Sequence, residues 1–255
     1  MEIVFIGSGN VATHLAVAFK EMGVVVKQVF SKNIANAETL AEKVDAEPIS
    51  DISKLYKDAD FYFYALKDNA LRTILMQIDM PAGIQVHTGG TMSIKEFDGF
   101  STRFGVFYPL QTFSLERSIE ITNTPILIEG CSMDVQKQLL ALAGIISDKV
   151  ILMNSESRMK VHLAAVFACN FSNYLCDIAS QILVNSGISF DLILPLIEET
   201  AEKLKTLSPY EAQTGPAVRM DEMIISKHLD LLNKNSEHKE IYKLLTKSII
   251  KRHKR

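Results

Sequence analysis

Gly7-Ser8-Gly9-Asn10-Val11-Ala12 directly follows the apolar run Ile3-Val4-Phe5-Ile6 and opens an amphipathic stretch from Val11 to Met22. In a β-α-β unit each position of this GxGxxA spacing has a task. Gly7 makes the tight turn, Gly9 lets the backbone approach a pyrophosphate, and Ala12 keeps helix and strand close. The helix N-terminus adds N–H groups and the positive end of its dipole. Gly23 at the helix end and a second β run from Val24 to Phe30 complete the unit. Residues Met1 to Ser31 therefore read as a dinucleotide site for a nicotinamide cofactor, with Ser8, Asn10 and Val11 beside the two glycines. An NAD site usually places Asp or Glu about 20 residues past the motif, on the ribose 2′-hydroxyl. This chain has Ser31-Lys32-Asn33 there. A hydroxyl followed by a cation suits a 2′-phosphate, so NADP is expected in preference to NAD; a solvated loop lysine is the alternative reading of Lys32.

Further strand ends should face the same crevice, because ligands of open α/β sheets gather at the carboxyl edge. Ala65-Leu66-Lys67-Asp68 can pass beside the adenosine and ribose, with Asp68 read as a cap for a helix beginning at Asn69. In His87-Thr88-Gly89-Gly90 the glycine pair permits close approach to the nicotinamide and the Thr88 hydroxyl can bond it. His87 is a candidate proton donor there, the alternative being a loop histidine bonded to backbone. Tyr108 and Gln111, flanking Pro109 in a loop after another strand end, can bind a substrate carboxylate or amide, against a packing role. Arg219, after Thr214-Gly215-Pro216, is a candidate clamp for a substrate carboxylate, against a salt bridge with Asp221 or across an interface. Pro216 is expected to begin a helix.

These groups need a scaffold, and the apolar pattern supplies one. Ile3–Ile6, Val24–Phe30, Phe61–Leu66, Ile84–His87, Arg103–Phe107, Ile126–Ile128 and Val150–Leu152 read as strands. Val11–Met22, Ile34–Val44, Asn69–Ile78 and Met133–Ile145 read as helices between them. Right-handed crossovers give an α/β, doubly wound, mainly parallel sheet over residues 1–152. An all-α region over 153–255 follows, with a cleft between the two. Arg158 to Ser186 is long, apolar and hard to confine to one stripe, which predicts a helix buried on several sides by its own domain or by a second subunit. Gly187 should end it and Asp191 cap the next.

The 255 residues are 47% hydrophobic and 22% charged, the balance of a globular protein with a real core. A formal net charge of −3 provides no field for capturing nucleic acid or an anionic membrane. Cys131, Cys169 and Cys176 are too scattered for a disulfide framework or a metal site and are expected to be reduced and buried. With no leader-like start and no apolar run near the roughly 18 residues of a membrane span, the expected compartment is the cytoplasm. Lys251-Arg252-His253-Lys254-Arg255 reads as a solvated helix end.

With GSGNVA, ALKD, HTGG, the tract Gly105-Val106-Phe107-Tyr108-Pro109-Leu110-Gln111-Thr112-Phe113 and Thr214-Gly215-Pro216-Ala217 in view, the chain resembles bacterial Rossmann-like proteins whose helical C-terminal domain is labelled DUF2520. That family is similar to pyrroline-5-carboxylate reductase, ketopantoate reductase and the F420-dependent NADP oxidoreductases. The resemblance implies an NAD(P)-dependent oxidoreductase of a small molecule, homodimeric through its helical domain. In the related β-hydroxyacid dehydrogenases the first long helix after the sheet carries a catalytic lysine with an asparagine one turn later. Here Lys160 and His162 are followed by Ala164 and Val166. The resemblance thus points to His162 in place of the lysine as proton donor, against a buried or dimer-interface histidine, with Asn170 or Asn173 in the amide role. At 100° per α-helical residue Asn173 falls about 20° from His162 and Asn170 about 80°, with a rise of roughly 16 Å over eleven residues. The expected activity is an NADP-dependent reduction of a small carbonyl or imine, or oxidation of a hydroxy acid. The alternative is a non-catalytic NADP-binding sensor or scaffold. A methyltransferase would want an acid where Ser31 stands.

Overall fold

The structure is a computed structural model and describes residues 1–233 and 235–254. It divides into two compact units, Met1–Cys169 and Asn170–Arg255. The first is built on β1 (Glu2–Ile6), α1 (Asn10–Glu21), β2 (Val25–Phe30), α2 (Ile34–Val44), β3 (Glu47–Ile49), β4 (Phe61–Tyr64), α3 (Asp68–Leu75), β5 (Ile84–His87), β6 (Phe104–Pro109), β7 (Ile126–Gly130), α4 (Met133–Ala143), β8 (Val150–Leu152) and α5 (Ser155–Ala165).

The strands form one sheet in the order β3-β2-β1-β4-β5-β6-β7-β8, with β6 and β7 antiparallel and the other neighbours parallel. The order reverses between β1 and β4, and the crevice at such a reversal is where open α/β sheets take ligands. Strand side chains alternate between two layers, so both faces are buried. Ile3, Phe5, Phe61 and Phe63 join Leu15, Phe19, Leu40 and Leu139 on one face. Val4, Ile6, Tyr62 and Tyr64 join Leu71, Ile74 and Phe97 on the other. Phe63 on β4 stacks on Phe5 of the adjoining β1 and meets Phe107 of β6 edge-on across β5, each at 5.1 Å between centroids, which ties the middle strands together on this face.

Several boundaries differ from expectation for identifiable reasons. Strand β3 went unread because Glu-Pro-Ile carries a charge and a proline, both tolerated on the edge strand it forms. Strand β6 runs on through Tyr108 and Pro109, which are therefore strand residues; Pro109 ends the strand opposite Ile126. Helix α3 begins at Asp68 after an N-cap at Lys67, so Asp68 is not its cap.

The second unit holds α6 (Ser172–Val184), α7 (Leu194–Lys203), α8 (Glu222–Leu231) and α9 (Ser236–His253). Ser189, not Asp191, caps the short 3-10 turn Phe190–Ile193. Pro216 opens a turn rather than a helix, and α8 starts six residues later behind Asp221, whose carboxylate accepts from the Ile224 N–H. The last turn of α9 carries Lys251, Arg252 and His253, with His253 stacked on Tyr210; Arg255 lies outside the described residues.

The long apolar tract is not enclosed by the chain. Met159 and Leu163 on α5, and Leu175, Ile182 and Val184 on α6, are exposed. Cys131 and Cys169 are exposed and Cys176 is half-buried, so the expectation of buried cysteines fails; Cys131 sits on the turn before α4, and the other two lie on this same uncovered tract. No described helix is long and apolar enough to cross a membrane.

Candidate nucleotide and proton-transfer site

Gly7 leaves β1 at φ +115°, and an added Cβ would lie 2.2 Å from the Ala65 carbonyl oxygen. Backbone strain and close approach both require glycine there. Its N–H donates to the Phe30 carbonyl at 2.8 Å, fastening the turn to the end of β2. Gly9 is the N-cap of α1 and no side chain caps the helix. An added Cβ at Gly9 would meet nothing within 4 Å, so open space lies over a helix terminus whose first N–H groups have no intrahelical acceptors. Ala12 is fully buried against the sheet. The terminus is thus shaped for an anion, and the residues present fit a dinucleotide pyrophosphate.

The loop after β6 is tied to this turn. Asn10 Nδ2 donates to the Phe113 carbonyl at 2.8 Å, and His14 Nε2 donates to the Ser114 carbonyl at 2.8 Å while its ring stacks on Phe113. Gln111 lies exposed in that loop, its Oε1 accepting from the Thr112 N–H. At the end of β2 the Ser31 N–H donates to the Ile49 carbonyl, Lys32 is exposed with no ion pair among the described residues, and Asn33 caps α2. No carboxylate occupies positions 31–33.

Leu66 is half-buried and Lys67 exposed at the end of β4. The Asp68 carboxylate accepts from the Thr91 hydroxyl, joining this loop to the one after β5. Thr88 is buried beside Tyr64. His87 is fully buried and stacked on Phe97; its Nδ1 accepts from the Gly89 N–H at 3.2 Å and its Nε2 faces the Ser93 carbonyl at 3.2 Å. Burial, reinforced by the Arg158 charge, lowers its pKa to about 3. With both nitrogens bonded to backbone and the ring held neutral, His87 has the geometry of the alternative reading, a histidine that shapes the loop.

His162 is half-buried on α5, and its Nδ1 lies 2.9 Å from Tyr108 Oη on β6. A Cβ on Gly90 would meet His162 Nδ1 at 2.5 Å and Tyr108 Cζ at 2.9 Å, so the HTGG loop packs directly on the pair. Burial raises the Tyr108 phenol above its ordinary value, while Arg158 opposes the shift.

Sequence reasoning missed the residue that holds α5 in place. Arg158 is completely buried one turn before His162 and pairs with the Glu129 carboxylate at 2.7 Å. It also donates to Ser155 Oγ and to the Met92 carbonyl. Ser155 Oγ in turn donates to Glu129 at 2.6 Å and accepts from the Ile94 N–H at 2.9 Å. One cluster thus links β7, the loop after β5 and the first turn of α5. No local signal singled out Arg158, because it stands in the polar stretch Asn154-Ser155-Glu156-Ser157-Arg158-Met159-Lys160 and its partner lies 29 residues away.

Asn170, Asn173 and Arg219 belong to the second unit and are exposed. The stretch Val166–Phe171 is π-helical, so the 100° count used to align Asn173 with His162 does not carry through it. Arg219 sits in the turn before α8, and Asp221 is occupied as the cap.

Residues 2–86 match the family model described as NADP oxidoreductase, coenzyme F420-dependent, and residues 124–249 match the domain of unknown function DUF2520. A candidate NADP oxidoreductase from Bacteroides fragilis, BF3122, shares 39% identity at a TM-score of 0.95, over all of this chain and 98% of its own. Two more distant structures share the fold. The 1-pyrroline-5-carboxylate reductase of Streptococcus pyogenes has 13% identity and TM-score 0.66, covering 98% of each chain. The reductive aminase of Aspergillus terreus, in complex with NADPH and ethyl-5-oxohexanoate, has 15% identity and TM-score 0.71, covering 98% of this chain and 93% of its own. Among curated proteins none matches in sequence.

Proposed function

Because the chain belongs to the family that joins an NADP oxidoreductase nucleotide domain of the F420-dependent type to a DUF2520 domain, we propose that it is an NADP-dependent oxidoreductase of a small carbonyl, hydroxy acid or imine. The observation that carries this reading is the uncapped N-terminus of α1, open over Gly9 at the point where the strand order reverses. Gly7, Ser8, Gly9, Asn10 and Val11 hold the pyrophosphate by backbone N–H groups. Ser31 and Lys32 receive the 2′-phosphate, Leu66 and Lys67 flank the adenosine ribose, and Thr88 bonds the nicotinamide. When bound, the reduced nicotinamide supplies the hydride. His162 supplies the proton, a task suited to imidazole near neutral pH. Tyr108 and Gln111 contact the substrate, with Asn170, Asn173 and Arg219 as further candidates from the second unit. The exposed apolar side chains of α6 are covered by a second copy of the chain, giving a homodimer through the helical region.

The test is NADPH oxidation by the purified protein across a panel of cyclic imines, ketones and 2-oxo acids, followed by loss of nicotinamide absorbance. Turnover of at least one class that falls by about a hundredfold in His162→Ala is expected for a lost general acid. Tight NADPH binding with no oxidation of any class would replace the enzyme with a non-catalytic sensor.

A further inference from the structure

The three histidines of the first unit face different kinds of partner. His14 Nε2 meets the carbonyl of Ser114, which only accepts. His87 is bracketed by the Gly89 N–H, which only donates, and the Ser93 carbonyl. Each backbone arrangement suits one placement of the ring proton. His162 Nδ1 meets a phenol hydroxyl instead, at 2.9 Å, and a hydroxyl both donates and accepts. Gly90 packs against both rings of this pair. The charge that acts on Tyr108 is Arg158, one turn before His162 on α5 and fixed on Glu129.

On the reductase reading above, we propose that Tyr108 is the positioning residue that holds His162 in both of its protonation states. The hydroxyl donates to Nδ1 of the neutral ring and accepts from Nδ1–H of the cation, so that Nε2 is the nitrogen that exchanges protons with substrate. In the reductive direction cationic His162 gives its Nε2 proton to the substrate oxygen or nitrogen while the substrate carbon accepts hydride. The C=O or C=N π bond breaks, one C–H bond and one O–H or N–H bond form, and the ring is left neutral with its proton on Nδ1, still bonded to Tyr108. A solvent proton at Nε2 restores the cation. When the neutral ring rests as its Nε2–H tautomer, the hydroxyl turns and donates to Nδ1. A backbone carbonyl in the place of Tyr108 would satisfy the cation and leave that tautomer without a donor.

The experiment is a pH series of long-range nitrogen–proton correlation spectra on the nitrogen-15-labelled full chain, without substrate. A phenol hydroxyl is a stronger donor than acceptor, so the neutral ring of wild-type His162 should rest mainly as its Nε2–H tautomer, with the Nδ1–H form only transient. Tyr108→Phe should relax it toward a two-tautomer mixture. Gly90→Ala, which keeps both rings chemically intact and drives a methyl against them, should cause the same loss. His228, whose Nδ1 lies 2.9 Å from Tyr242 Oη in the second unit, serves as the unmoved reference. A wild-type ring without the Nε2–H bias overturns the proposal even if neither variant folds, as does a His162 tautomer ratio that is identical in all three proteins. Parallel NADPH titration separates the two ideas: the expected spectra without NADPH binding refute the reductase and support the pair, whereas binding with an unbiased ring refutes the pair alone.

Discussion

Gly7 and Gly9 stand two residues apart and are constrained by opposite things. Gly7→Ala sets a Cβ against the Ala65 carbonyl at a positive φ. Strain of this kind costs about 1–3 kcal/mol, and a lower urea midpoint should report it. Gly9→Ala meets no atom of the protein. It loses at most a preferred cap, about 1 kcal/mol, yet should weaken NADPH about tenfold or more by intruding on the pyrophosphate. If Lys32 meets the 2′-phosphate as proposed, Lys32→Glu should cut the preference for NADPH over NADH about tenfold, since a charge-assisted contact is lost only with the phosphorylated cofactor. The tasks of these residues were legible in the motif because a glycine loop acts through local backbone geometry. His87 was legible only as a position. Its folded pKa of about 3 lies below the ordinary 6.5, so the unfolded chain binds a proton that the native ring refuses. Stability should therefore fall as pH drops from about 6.5 toward 3, and a urea titration series should find part of that slope missing in His87→Gln.

Among the elements, α2, β5 and β8 have the bounds their apolar periods predict. Strand β6 was cut short because proline reads as a turn, and with it Tyr108 was assigned to a loop; its strand position is what aims it at His162. The Glu129–Ser155–Arg158 cluster was illegible because its members meet only once α5 packs on the sheet. Removing one partner of a buried ion pair leaves the other uncompensated, so Arg158→Ala should cost about 3–5 kcal/mol. In a double-mutant cycle Glu129→Leu with Arg158→Met should cost much less than the sum of the single changes, as measured by urea unfolding.

At the scale of the whole molecule, the apolar tract that predicted a helix covered on several sides leaves Leu175 and Ile182 uncovered within one chain. Sequence could state the burial without naming what provides it. A second copy would, and sedimentation equilibrium should give twice the 28.5 kDa chain mass, with the monomer recovered in Leu175→Arg/Ile182→Arg. The nucleotide turn is legible because local backbone geometry builds it, whereas substrate identity depends on side-chain contacts that no local pattern encodes. The measurement that bears most directly on the central claim is calorimetric titration of the wild-type protein and of Gly9→Ala with NADPH and NADH. One NADPH bound per chain, at least about tenfold tighter than NADH and weakened by the Gly9 substitution, is the predicted result. No binding of either dinucleotide, or binding indifferent to Gly9, would contradict it.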